Sequence, residues 1–297
     1  MGISAHGARF LAYARSVGVD FGQTAMIGRQ GLYATADEMR RVLAGFGTAP
    51  TEAEIDAICG GSGYAEQLLE YLGAAATHSF DVSDFEAATF THDMNLPIPA
   101  QFVEKYSVVL DGGTLEHIFN FPTAIKNCME MTRVGGHYLA ITPANNFFGH
   151  GFYQFSPELY FSVLSAENGF EIERMMAFED VDDAPWYAVR SPRDARRRVT
   201  LTNSQPVFLL IIARRVALTA IFQHAPQQSD YLVHWTPDES PTIAPATAVR
   251  PLPIRIAKAV IPSAVRRSIR KALERPERPY VGFNPEFFER MDPQPGA

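Results

Sequence analysis

The stretch "YSVVLDGGTLEHIFNFPTAIKNCMEMTRVGGHYLAITPANN", residues 106–146, decides the fold. "YSVVLD" (106–111) is apolar on both faces, the pattern of a strand covered on both sides. It ends in Asp111, and Gly112-Gly113 follow at once. "FPTAIKNCMEMTRVGG" (121–136) reads as a helix, with Pro122 near its start and Gly135-Gly136 beyond its end. "HYLAITP" (137–143) is a second strand, stopped by Pro143. Strand, helix, strand is the alternation of a mostly parallel sheet with helices on both faces.

The same alternation extends outward. Residues 7–17 read as a short amphipathic helix and 24–33 as an apolar strand carrying Gly28 and Gly31. "TADEMRRVLAGFG" (35–47) is a helix, with Thr35 and Glu38 at capping-box spacing. "TEAEIDAIC" and "YAEQLLEYLGA" are two further short helices. Short strands are expected at 78–83, holding Asp81, and at 88–95, holding Asp93. A helix over 156–170 starts at Ser156-Pro157. "FEIERMMAFED" and "PVFLLIIARRV" are two late strands.

Ligands of such sheets bind beyond the carboxyl ends of the strands. Asp81, Asp93, Asp111, Gly28, Gly31 and Asn145-Asn146 all fall at or near such ends. That concentration is the first functional clue.

The bulk numbers exclude several classes. The chain has 297 residues, 46% hydrophobic and 20% charged, enough for one sizeable α/β domain. A net charge of -7 argues against whole-chain nucleic-acid binding. Cys59 and Cys128 lie in no metal or disulfide spacing, and no secretory leader is visible, so a cytoplasmic setting is expected. No run approaches the roughly 18 apolar residues of a membrane span. The expected division is an N-terminal helix (1–20), the α/β domain (21–234), and a Pro-rich linker with a basic tail (235–297). From Arg250 to Arg278 there are nine Lys/Arg against two Glu. That segment could meet an anionic membrane surface or a protein partner.

"VVLDGGTLEHIF", "AIKNCMEMTRVGG" and "HYLAITP" together resemble the class I S-adenosylmethionine-dependent methyltransferases, over roughly residues 20–216. The resemblance implies a Rossmann-like doubly wound sheet with a late antiparallel hairpin, and S-adenosylmethionine as cofactor. It implies that Asp81 holds the ribose hydroxyls, with Asp84 and Glu86 as rivals. Asp93 would approach the adenine, and Asp111 and Gly112 the methionine side. The family's acidic-x-Gly-x-Gly-x-Gly loop departs here to "MIGRQGLYA", with Gly28 and Gly31 alone.

Some relatives bind a divalent metal through Glu-x-x-Glu-His. Here Gly113 replaces the first Glu, while Glu116 and His117 remain. A site completed by another His is conceivable but not favoured, since adjacent residues ligate together only off a regular helix. The reading therefore assigns no metal ligand.

"TPANNFFGHGFYQFSPEL" (142–159) would face a small-molecule substrate. His150, between Gly149 and Gly151, is the expected general base, with His117 and Tyr153 as further catalytic candidates. Asn145, Asn146 and Gln154 suit a polyol or sugar acceptor, and the neighbouring aromatics could stack on its apolar face. The expectation is an O-methyltransferase. Two rivals stand: a non-catalytic scaffold or regulator whose crevice is plugged by Arg29 or Gln30, and the same fold reused for another sugar or nucleotide reaction.

Overall fold

The computed structural model describes residues 2–229 and 280–293; the linker and basic segment read from the sequence lie outside them. The elements run β1 (Gly2–Ile3), α1 (Ala5–Ser16), β2 (Gln23–Ile27), β3 (Gly31–Leu32), α2 (Ala36–Gly45), α3 (Glu52–Gly60), α4 (Glu66–Tyr71), β4 (Ala76–Asp81), β5 (Phe90–Thr91), β6 (Tyr106–Asp111), α5 (Phe121–Met131), β7 (Thr132–Asn145), α6 (Pro157–Val163), β8 (Phe170–Glu179), β9 (Trp186–Val189), α7 (Pro192–Ala195), β10 (Val207–Arg215) and β11 (Phe288–Met291). The main sheet has nine strands in the order β11-β9-β8-β10-β7-β6-β2-β4-β5. From β5 to β7 every pairing is parallel, and β10 enters antiparallel between β7 and β8. This is a Rossmann-like doubly wound sheet with a late antiparallel insertion.

The pleat explains why the central strands are apolar throughout. Successive side chains point to opposite faces. Val109, Tyr138, Ala140, Leu209 and Ile211 enter one core. Val108, Leu110, Leu139, Ile141, Leu210 and Ile212 enter the other. Residues of α5 and α6 cover the first core, and residues of α1 to α4 cover the second. The capping box at Thr35 and Glu38 is present, and Thr51 with Glu54 makes another. Arg215, buried, donates to the carbonyls of Met129, Glu130 and Thr132, which ends α5 earlier than Gly135 would.

Several boundaries differ from the sequence reading. The strand expected over 24–33 breaks at Gly28, whose φ is +70, and resumes as β3, which pairs with β1 in a separate two-stranded sheet. The helix expected to 170 stops at Val163: Leu164 leaves helical geometry, a 3-10 turn follows at Ala166–Asn168, and Gly169, at φ +75, turns the chain into β8. The division at residue 20 has no counterpart in the packing, since Phe10, Leu11 and Tyr13 of α1 are fully buried in the second core. The boundary at 234 leaves out β11, which pairs with β9 and extends the sheet. Among the described residues no helix is long and apolar enough to cross a membrane.

Candidate functional site

The chain leaves β2 toward β4 and β5 on one side and later fills β6 and β7 on the other. The point of divergence, between β2 and β6, is where open α/β sheets bind ligands. Phe80, Ile27 and Asp111 lie on one rung of β4, β2 and β6. Asp81, Gly28 and Gly112 therefore begin the rim together, as the sequence suggested.

On the β4 side, the Asp81 carboxylate accepts one hydrogen bond, from the Ser83 N–H to Oδ1 at 3.3 Å. Among the described residues nothing bonds Oδ2, so the carboxylate can still take a hydroxyl pair. Val82 and Phe85 beside it are 67% and 91% exposed, an apolar surface of the kind a base can stack on. Asp84 is exposed, and the Glu86 carbonyl takes the Arg29 guanidinium at 2.8 Å. Asp93 is turned inward on its own loop, where Oδ1 accepts from both nitrogens of Asn95; those bonds hold its carboxyl below the usual range.

The loop after β2 is built unlike the glycine loop of the resembling family. Arg29 pairs with Glu66 at 2.7 Å and lies over the Tyr64 ring. Gln30 is buried and donates to the Ile27 carbonyl at 2.7 Å and to Thr114 Oγ1 at 3.0 Å. Its Oε1 has no partner, and a Cβ on Gly112 would lie 2.6 Å from it. The Gln30 amide thus fills the space above Gly112. Gly31 does not reach the rim. It is a strand residue facing Gly2, and this corrects its assignment to the cofactor.

On the β6 side, Asp111 is a scaffold rather than a ligand contact. Buried completely, its Oδ1 accepts from the N–H groups of Thr114 at 2.8 Å and Leu115 at 3.3 Å, while the Tyr138 hydroxyl reaches Oδ2 at 3.4 Å. Burial raises its carboxyl to about 6, against the pull of those N–H donors. The turn that Asp111 organises ends in a three-residue 3-10 helix, Leu115–His117. This tight turn, not an α-helix, carries the adjacent Glu116 and His117.

Glu116 is fully buried, and neither of its carboxylate oxygens has a hydrogen-bond partner. Burial first, and then the Asp111 charge, pushes its carboxyl up to about 8. The loop after β7 comes back over it. Phe152 N–H donates to the Glu116 carbonyl at 2.7 Å. Gly151 makes that approach feasible: its φ is +65, and a Cβ there would lie 2.7 Å from the same carbonyl oxygen. His150 is thereby set with Nε2 3.6 Å from Glu116 Oε1, and its ring centroid is 4.9 Å from that of His117. Burial, and then His150, lowers the His117 pKa.

The polar residues expected to bind the acceptor are largely spent on holding this loop. Asn145 and Asn146 donate to the 203–205 segment, through Asn203 Oδ1 at 2.8 and 2.9 Å and the Gln205 carbonyl at 2.7 Å. Gln154 Oε1 accepts from the Phe147 N–H at 2.8 Å, and the Tyr153 hydroxyl donates to the Phe119 carbonyl at 2.6 Å. These four assignments are corrected from substrate or catalytic contact to loop construction. Phe155 is core and Phe147 packs on Phe208, whereas Phe119, Phe148 and Phe152 are exposed around the histidines. Phe119 comes from the loop after β6, outside the 142–159 stretch expected to face the acceptor.

No family model and no curated protein matches the chain. Solved structures do. A presumed methyltransferase from Bacillus halodurans is 10% identical with a TM-score of 0.41, over 70% of this chain and 99% of that one. A presumed S-adenosylmethionine-dependent methyltransferase from Listeria monocytogenes is 14% identical with a TM-score of 0.39, over 71% and 99%. The N-methyltransferase NodS of Bradyrhizobium japonicum, solved with S-adenosyl-L-homocysteine, is 13% identical with a TM-score of 0.37, over 70% and 86%.

Proposed function

We propose that this protein is an S-adenosylmethionine-dependent methyltransferase acting on a hydroxyl oxygen of a small molecule, a sugar by the exposed aromatic faces at its rim. The observation that carries the reading is the half-committed Asp81 carboxylate at the sheet's switch point, with Gly28 and Gly112 on the neighbouring strands. These residues fit the nucleoside half of the cofactor. Asp81 would accept from the ribose hydroxyls, and Val82 and Phe85 offer apolar surface to the adenine. The methionyl half would take the space of the Gln30 amide, whose Nε2 gives up two hydrogen bonds when it moves while its unpartnered Oε1 loses none.

When bound, the cofactor supplies an electrophilic methyl group. The chain's own work is to position the acceptor and make its proton easier to remove. Exposed Phe119, Phe148 and Phe152 offer faces for a sugar ring. The Glu116, His117 and His150 cluster lies beside them, where it could make the acceptor's proton easier to remove. Isothermal titration with S-adenosylhomocysteine tests the reading. Saturable binding is expected, weakened by about 1–3 kcal/mol in Asp81→Ala, the cost of leaving buried hydroxyls unpaired. An absence of binding at millimolar ligand would count decisively against it.

Gln30 favours a second reading, a non-catalytic relative that scaffolds or regulates a partner. On that reading wild-type protein binds no cofactor, and the Gln30 hydrogen bonds are a permanent closure of the crevice.

A further inference from the structure

We infer that Glu116, His117 and His150 form a site for one divalent first-row transition-metal ion, and that this ion receives the acceptor's hydroxyl oxygen. The first half stands on the residues alone; the second rests on the methyl-transfer reading. One ligand atom from each of the three residues lies within 4.8 Å of the others. Bonds of about 2.1 Å to a common ion put neighbouring ligand atoms about 3.0–3.4 Å apart. The 3.6 Å between His150 Nε2 and Glu116 Oε1 is too long for a hydrogen bond and close to that separation. Glu116 and His150 are therefore not joined as a hydrogen-bonded acid–imidazole pair.

Burial supplies the second, independent observation. A carboxyl group with no exposed surface and no hydrogen bond on either oxygen is an expensive group to keep, whether it holds its proton or not. His150 is its sole ion-pair partner within 4.0 Å among the described residues. Among the described residues no arginine or lysine pairs with it, and a metal ion would take a carboxylate oxygen as a ligand. The fold also invests in bringing His150 to this carboxylate, through Gly151 and the Phe152 N–H latched on the Glu116 carbonyl. The 3-10 turn lets adjacent Glu116 and His117 face the same point.

The donor set selects the class of ion. Two imidazoles and one carboxylate suit zinc, manganese, iron or cobalt, whereas magnesium and calcium prefer oxygen donors. His117 is exposed and His150 partly so, which leaves coordination positions open on the solvent side, among the exposed phenylalanines. A hydroxyl oxygen bound there becomes more acidic, because the cation stabilises the alkoxide. The hydroxyl proton then leaves to water or buffer, the oxygen gains the methyl group, and the cofactor departs as the neutral thioether. His150 acts as a ligand in this scheme, replacing its expected role as a lone base.

The test is equilibrium binding of Zn²⁺, Mn²⁺ and Co²⁺ to the full, chelator-stripped chain, without cofactor. One ion per chain is expected, with Mg²⁺ and Ca²⁺ far weaker. Glu116→Gln keeps the buried shape, and His150→Ala lies on a surface loop, so both should fold, as circular dichroism checks. Each should weaken binding by more than the roughly 10–100-fold typical of losing an outer-shell partner, while His224→Ala, an exposed control, should not change it. Equal affinity in wild type and His150→Ala, or no stoichiometric binding, would overturn the site. Tight metal binding alongside no binding of S-adenosylhomocysteine would keep the site and reject the methyltransferase reading.

Discussion

Asp111 and Glu116 are two buried acids at opposite ends of one short loop, and they are treated in opposite ways. Asp111 holds two backbone N–H groups and a tyrosine hydroxyl. Glu116 holds nothing, on either oxygen. Both carboxyls are raised by burial, but Asp111 has donors that pull it back. A buried acid with its hydrogen bonds satisfied is part of the frame. A buried acid left without them, beneath two histidines, is held for something the chain does not itself supply.

The comparison predicts a hierarchy of effects. Asp111→Ala should cost the most stability, about 2–4 kcal/mol, since two buried donors lose their acceptor at about 1–3 kcal/mol each and release of a buried charge offsets part of it. Urea unfolding measures this; a loss below 0.5 kcal/mol, on the order of a surface change, would mean Asp111 is no frame residue. Gly151→Ala comes next. Its Cβ meets the Glu116 carbonyl oxygen, so the loop must lift. Stability should fall by about 1–2 kcal/mol, and metal affinity should fall with it while S-adenosylhomocysteine binding stays.

Gln30→Gly should strengthen S-adenosylhomocysteine binding by roughly 5–30-fold, because entry no longer breaks two hydrogen bonds worth about 1 kcal/mol each. If wild type binds nothing and this variant binds, the chain is a closed relative and not an enzyme. Glu116→Gln should have the smallest effect on stability, close to neutral, since the carboxyl has no hydrogen bond to lose and the amide keeps its shape. A loss as large as that of Asp111→Ala would erase the difference between the two acids.

The parts of the fold legible in the sequence are those whose burial is symmetric. β6, β10, the 138–142 part of β7 and the 175–178 part of β8 are apolar runs buried in the sheet's interior, and they could be read directly. β1, β9 and β11 are two to four residues long, and β11 pairs with a strand about a hundred residues away, so no local pattern marks them. The rim was legible in its acids and glycines, but not in their direction. An Asn side chain serves a ligand or its own chain equally well, and Asn145 and Asn146 serve the chain. His150 between two glycines was visible as a presented imidazole. Its meeting with Glu116 was not, because the meeting depends on a backbone latch between residues 116 and 152.

The most direct measurement is a crystal structure of the chain grown with Mn²⁺ and S-adenosylhomocysteine, with data collected for anomalous scattering. The account predicts one anomalous peak about 2.1 Å from donor atoms of Glu116, His117 and His150, the ribose hydroxyls on Asp81, and Gln30 turned out from above Gly112. A map with no peak at Glu116, and Gln30 still bonded to Ile27 and Thr114 in a crevice without ligand, would contradict it.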